Sequence, residues 1–198
     1  MCAMSNKILP EKPVLMGKSV ALAFLEKSDA EELLYLVNAS RNSLETWLPW
    51  VESFHTLQDA LSAISAYDVQ QKMGNGGAFG IRRLEDGALA GEFILQWIDS
   101  RNRSVSLGYF LGSEFERKGL AFEAGRLVLE YVKKIGIHRA EISAATENVR
   151  SNSLAKRLGF RKEGVAVDAE FLHGKFWSHN RWALVFGENP RFGYDCKH

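Results

Sequence analysis

Over Ser104–Ile135 the apolar residues change their period. In Ser104–Leu111, Val105, Leu107 and Tyr109 alternate with Ser106, Gly108 and Phe110, the two-residue repeat of a strand. From Leu120 onward, Ala121, Ala124, Leu127, Val128 and Tyr131 fall on adjoining faces of a helix, and Gly136 is placed to end it. Between the two lies Glu116-Arg117-Lys118-Gly119-Leu120-Ala121. Strand, glycine-bearing loop and helix in that order aim the unpaired N–H groups of a helix start, and its dipole, at one point. An anion is stabilised there. Gly119 and Ala121 leave room for a phosphate oxygen to approach the backbone, and Arg117 and Lys118 add local positive charge. The loop matches neither the Walker A pattern nor the dinucleotide fingerprint. By itself it is equally the chemistry of an ordinary turn.

The rest of the chain predicts alternating strands and helices. Val20–Phe24 reads as a first strand, and Ser28-Asp29-Ala30-Glu31 has the spacing of a capping box for a helix through Val37. Arg41–Leu48 reads as a second helical piece ending near Pro49, and Thr56–Gln71 as a third helix. Ala78–Arg83 and Leu89–Trp97 flank Glu85-Asp86-Gly87 as a hairpin. Arg139–Ala145 is a further strand. A polar loop at Asn148–Ser151 leads to a short helix through Leu158, which Gly159 ends. Phe160–Leu172 and Lys175–Phe186 are strands around His173-Gly174. No repeat or linker divides the chain, which predicts one mixed α/β domain over residues 1–198, with a core from about 14 to 187 and short peripheral termini. Helices are expected on both faces of its sheet.

Charge limits the partners. Lys and Arg total 25 against 24 Asp and Glu, a net charge of +1, so no global field draws the chain to nucleic acid or an anionic membrane. Any anion site is local. Cys2 and Cys196 match no metal or redox spacing, which argues against a disulfide framework or structural zinc and for a reducing compartment. The opening Met-Cys-Ala-Met-Ser-Asn-Lys lacks an apolar signal core, and no stretch is uninterruptedly apolar over a membrane span; a cytoplasmic location is the default expectation.

Two segments together carry a family resemblance. Leu107-Gly108-Tyr109-Phe110-Leu111 followed by Phe115 through Ala124 resembles motif A of the GNAT acetyltransferases, specifically their RimJ/RimL branch of ribosomal-protein N-terminal acetyltransferases. Asn148 through Gly164, with Asn148, Ser151, Gly159-Phe160 and Glu163-Gly164, resembles the second signature of that branch, and Trp47-Leu48-Pro49-Trp50 extends the likeness toward the N-terminus. Glu116 departs from the Gln or Arg usual at its position. Its side chain is expected to point away from a bound pyrophosphate, with Arg117 and Lys118 compensating.

The resemblance implies the GNAT fold, a mixed central sheet with splayed central strands, and acetyl-CoA as cofactor. It places Phe110 and Leu111 nearest the acetyl group, Arg117, Lys118, Gly119, Leu120 and Ala121 at the pyrophosphate, and Asn148 on the pantetheine arm. Ser151 becomes the general acid near the sulfur and Glu170 the general base, acting through water with Asp168 on the same side of the strand. No metal is implied. Local chemistry offers alternatives: Asn148 and Ser151 as helix caps, Glu170 as a solvated strand carboxylate, Trp47, Trp50 and Phe54 as core, Lys156 and Arg157 as a solvated helix face. His173 reads as a turn residue, and His55 and His138 fall in no motif. The implied activity is transfer of acetyl to a primary amine, with the N-terminal α-amine of a ribosomal protein as partner. Polyamine or antibiotic acetylation is one alternative, and a non-catalytic acyl-CoA-binding module another. The resemblance also admits a homodimer.

Overall fold

A break in strand pairing organises the molecule. The computed structural model describes residues 13–187, so Cys2, Cys196 and the tail beyond Gly187 lie outside the described residues. In chain order the elements are β1 (Leu15–Met16), β2 (Val20–Phe24), α1 (Ala30–Glu45), α2 (Leu57–Met73), β3 (Gly77–Arg83), β4 (Leu89–Asp99) and β5 (Ser104–Leu111). They continue as α3 (Leu120–Lys134), β6 (Arg139–Ala145), α4 (Val149–Arg157), β7 (Arg161–Leu172) and β8 (Lys175–Val185). The strands form one sheet in the order β1-β2-β3-β4-β5-β6-β8-β7. All neighbours are antiparallel except β5 and β6, whose parallel pairing runs only from Ser104↔Arg139 to Leu107↔Ile142. Beyond that point β5 stays with β4 and β6 with β8, so the two strands splay.

Helices cover both faces. Strand alternation sends Glu92 and Phe93 of β4 to opposite sides. Glu92 meets Tyr67 of α2, whereas Phe93 lies under Gly125 of α3, where a Cβ would come within 3.4 Å of its ring. The core holds Phe79, Phe93, Leu95 and Leu107 with almost no exposure.

Three local expectations are corrected. The helix boundary uses Glu26 and Asp29, the Glu26 N–H donating to Asp29 Oδ2 at 2.7 Å, rather than Ser28 and Glu31. The two helical pieces before Pro49 are one continuous α1, because Leu33, Val37, Ser40 and Leu44 make an unbroken buried stripe. Ser40 belongs in it: its Oγ accepts the Ser113 N–H at 2.9 Å, tying α1 to the end of β5. Finally, β7 is bulged. Its register moves from Ala166↔His179 to Glu170↔Trp177, and Asp168 takes a positive φ of 49°. The bulge breaks the alternation that put Asp168 beside Glu170.

Candidate active site

The splay opens a cleft of about 530 Å³. Leu107–Leu111 of β5 form one side, Ile142–Ala145 of β6 the other, and the starts of α3 and α4 close one end. Past Leu107 the β5 edge has lost its partner, leaving backbone groups to face the cleft instead of a neighbouring strand.

At the α3 end, Arg117 and Gly119 both take left-handed backbone angles, φ 62° and 82°. The N–H groups of Lys118, Gly119, Leu120 and Ala121 find no backbone acceptor or capping side chain among the described residues. They are the unpaired donors of a helix start, with the dipole behind them. A Cβ on Gly119 would meet no protein atom within 4 Å, so the space beside it is open to the cleft. These residues fit a pyrophosphate. Arg117, Gly119, Leu120 and Ala121 line the cleft; Lys118 does not, its ammonium lying 5.9 Å from the Phe115 ring. Glu116 lines the cleft and is ion-paired to Arg150 of α4. The compensating cation therefore comes from the second signature rather than from Arg117 or Lys118.

At the α4 end, Asn148 Oδ1 accepts the Ser151 N–H at 3.0 Å, so the residue is a helix cap and a cleft wall together. Asn152 locks this turn to the sheet: its Nδ2 donates to the Ala145 carbonyl, and its Oδ1 accepts from Asn180 and Trp182 at 2.7 and 2.8 Å. Ser151 Oγ lies 2.8 Å from the Tyr109 hydroxyl. Burial pushes the Tyr109 phenol up to about 12, against the pull of its Ser151 contact, so it keeps its proton at neutral pH. Phe110 and Leu111 also line the cleft. Phe110 packs on Trp50, with ring centroids 5.6 Å apart.

The β7–β8 hairpin supplies the far wall. Glu170 lines it, and Glu170 Oε2 lies 3.0 Å from His179 Nε2, although that nitrogen has no aligned hydrogen bond. His179 Nδ1 lies 3.0 Å from Ser143 Oγ. His173 and Gly174 form a two-residue turn with both φ values positive, and the His173 ring reaches the Glu45 carbonyl of α1 at 2.8 Å. Trp47 meets Trp177 edge-on at 5.5 Å, and Trp47 and Leu48 face the cleft. Trp50 and Phe54 pack against each other instead. Arg157 sits over the Phe122 ring at 4.6 Å on the cleft wall, so it is more than a solvated helix residue. His55 and His138 lie away from the cleft.

Sequence inspection missed Tyr109, His179 and Ser143 as site residues. Tyr109 lies inside the Leu107–Leu111 segment of the first signature, which is a signal for it. His179 carried no signal, because only the bulged register of β7 brings it to Glu170.

Known proteins share this fold and sequence family. A family model described as an acetyltransferase (GNAT) domain matches residues 20–161. YdaF of Bacillus subtilis (strain 168) is 31% identical over 163 residues, covering 80% of this chain and 87% of that protein. The [Ribosomal protein uS5]-alanine N-acetyltransferase of Escherichia coli (strain K12) is 28% identical over 160 residues, 79% of this chain and 82% of that one. Among solved structures, the microcin C7 self immunity acetyltransferase MccE in complex with acetyl-CoA and AMP superposes with a TM-score of 0.81 at 26% identity, covering 85% of this chain and 93% of that one.

Proposed function

Because the chain belongs to the GNAT acetyltransferase family and is an N-acetyltransferase, we propose that it moves acetyl from acetyl-CoA to the N-terminal α-amine of a ribosomal protein. The splay of β5 from β6 carries this proposal: it joins unpaired N–H donors at α3 to the Tyr109–Ser151 pair in one cleft. The uS5-alanine enzyme supports the acceptor class by its name, and the acetyl-CoA complex of MccE supports the donor.

Acetyl-CoA brings an acyl carbon already activated as a thioester. Arg117, Gly119, Leu120 and Ala121 hold the pyrophosphate, and Asn148 the pantetheine arm. Phe110 and Leu111 flank the acyl end, where an N–H of the unpaired β5 edge polarises the carbonyl. The amine nitrogen forms the new C–N bond as the C–S bond breaks. Its proton passes to Glu170 through water, with His179 beside the carboxylate to hold it. Ser151 protonates the departing thiolate and is resupplied from the Tyr109 hydroxyl, which regains its proton from solvent on product release, while Glu170 returns the amine proton to water.

The test is mass spectrometry of products from acetyl-CoA with three acceptors: a ribosomal N-terminal peptide with a free α-amine, the same peptide N-blocked but containing lysine, and spermidine. The free α-amine should be acetylated. Acetylation of spermidine or lysine in its place would overturn the acceptor.

A further inference from the structure

A second cavity, of about 310 Å³, lies on the face of the sheet covered by α1 and α2. It shares no lining residue with the cleft. Trp50 lines this cavity and Phe110 lines the cleft, and the contact between their rings forms the partition.

The floor of the second cavity is Glu92, which is only 2% exposed. Among the described residues one hydrogen-bond donor reaches its carboxyl, the Tyr67 hydroxyl, at a long 3.3 Å from Oε2. Among the described residues no cationic side chain lines the cavity. Beside Glu92 stand Tyr67 from α2 and the directly paired Gly80 and Phe110 of the flanking strands, and Leu33 and Asp59 line the same cavity; none of them is positive. A buried carboxyl with one weak partner is costly, and a cation with several N–H donors is the group that removes the cost. Asp59 makes the wall more negative. It closes the capping box of α2 by accepting from the His55 N–H and from the hydroxyl and N–H of Thr56, and those bonds lower its pKa. The other walls are the rings of Trp50 and Phe54 with Ala63, and the uncharged Ser53 and Ser62; the ring faces favour a cation carried on an apolar body and disfavour an anion.

We propose that this cavity is a binding site for a small primary alkylammonium, its ammonium donating to Glu92 and its chain lying between Trp50 and Phe54. The volume is at the lower end for ligand pockets and suits a chain of several heavy atoms. The site is separate from acetyl transfer, because the Trp50–Phe110 partition stands between it and the cleft. Burial holds the Glu92 carboxyl up at about 8, so the empty site is largely protonated at neutral pH and a bound ammonium would displace that proton.

The probe is n-propylammonium chloride, titrated by calorimetry into the full chain near pH 7 without acetyl-CoA, in two buffers of different ionisation enthalpy. Omitting acetyl-CoA makes the result independent of whether the chain acetylates any amine. One-site binding in the millimolar range or tighter is expected, with net proton release and none from n-propanol or propionate at the same concentrations. Glu92→Gln should weaken the binding by at least about tenfold. Ala63→Leu, which fills the cavity but keeps the carboxyl, should weaken it similarly and guards against a fold effect of the first change. No propylammonium binding to the wild type, equal binding of propanol, or unchanged affinity in Glu92→Gln would overturn the proposal.

Discussion

The Tyr109 hydroxyl stands 2.8 Å from Ser151 Oγ and 3.2 Å from the Ser151 carbonyl oxygen, so its one proton can go to either, and the contact joins the central strand to the first turn of α4. A proton leaving Ser151 can be replaced from Tyr109 without solvent entering the cleft. Ser151→Ala should therefore lower kcat by roughly 10- to 100-fold while acetyl-CoA affinity changes little. Tyr109→Phe should lower it less, and the double variant by less than the product of the two. Steady-state kinetics with calorimetric cofactor affinities decide this; wild-type kcat in Ser151→Ala would remove the general-acid role.

Glu170 and His179 meet at 3.0 Å on the opposite wall. If Glu170 receives the amine proton, Glu170→Gln should abolish or displace the acid limb of the kcat/KM profile, whereas Asp168→Asn, outside the cleft lining, should leave it in place. His179→Gln should shift that limb without abolishing turnover. A Glu170→Gln enzyme with the wild-type profile would show that the base is elsewhere.

Gly119 has a φ of 82° beside open cleft space. A Gly119→Val side chain would pay about 1–2 kcal/mol for the left-handed backbone and project where a phosphate approaches. Acetyl-CoA affinity should fall at least about tenfold, with the loss appearing in KM for acetyl-CoA more than in kcat. Equal affinity by calorimetry would move the pyrophosphate off this loop.

Glu92 makes folding stability depend on pH. Its carboxyl is pushed up to about 8 by burial from an ordinary 4.5, with the Tyr67 hydrogen bond acting the other way. Between those values the folded chain holds a proton that the unfolded chain releases. The stabilisation is full below about pH 4.5 and is lost as pH rises toward about 8, by up to about 1.4 kcal/mol per pH unit. In Glu92→Gln this slope should disappear. Urea unfolding of both chains at about pH 5 and about pH 8 measures it; parallel slopes would mean that Glu92 is ionised throughout.

Much of the scaffold was legible. The limits of β5 and β6 match Ser104–Leu111 and Arg139–Ala145: β5 is clean two-residue alternation between the polar Asp99–Arg103 and Gly112, and β6 lies between Gly136 and the polar Thr146–Asn148. The expected residues from Phe110 to Ser151 meet in one cleft, apart from Lys118. What could not be read depends on tertiary contacts. The helix expected to stop at Val37 continues to Glu45 because Ser40 finds a partner in the Ser113 N–H, 73 residues away. Nothing in Leu89–Trp97 singled out Glu92, which is buried by the packing of α1 and α2 on that face of the sheet. Glu170 meets His179 through two residues inserted in β7, an irregularity with no proline or glycine between Ala166 and Glu170 to announce it.

The central claim is that this cleft transfers acetyl rather than only binding its donor. The most direct measurement is free thiol released from acetyl-CoA by the wild-type chain, with and without a peptide bearing a free N-terminal amine. Thiol release that requires the peptide, with one acetylated peptide formed for each thiol, is the predicted result. Stabilisation of the fold by acetyl-CoA with no amine-dependent thiol release, for the peptide or for any small amine, would contradict it.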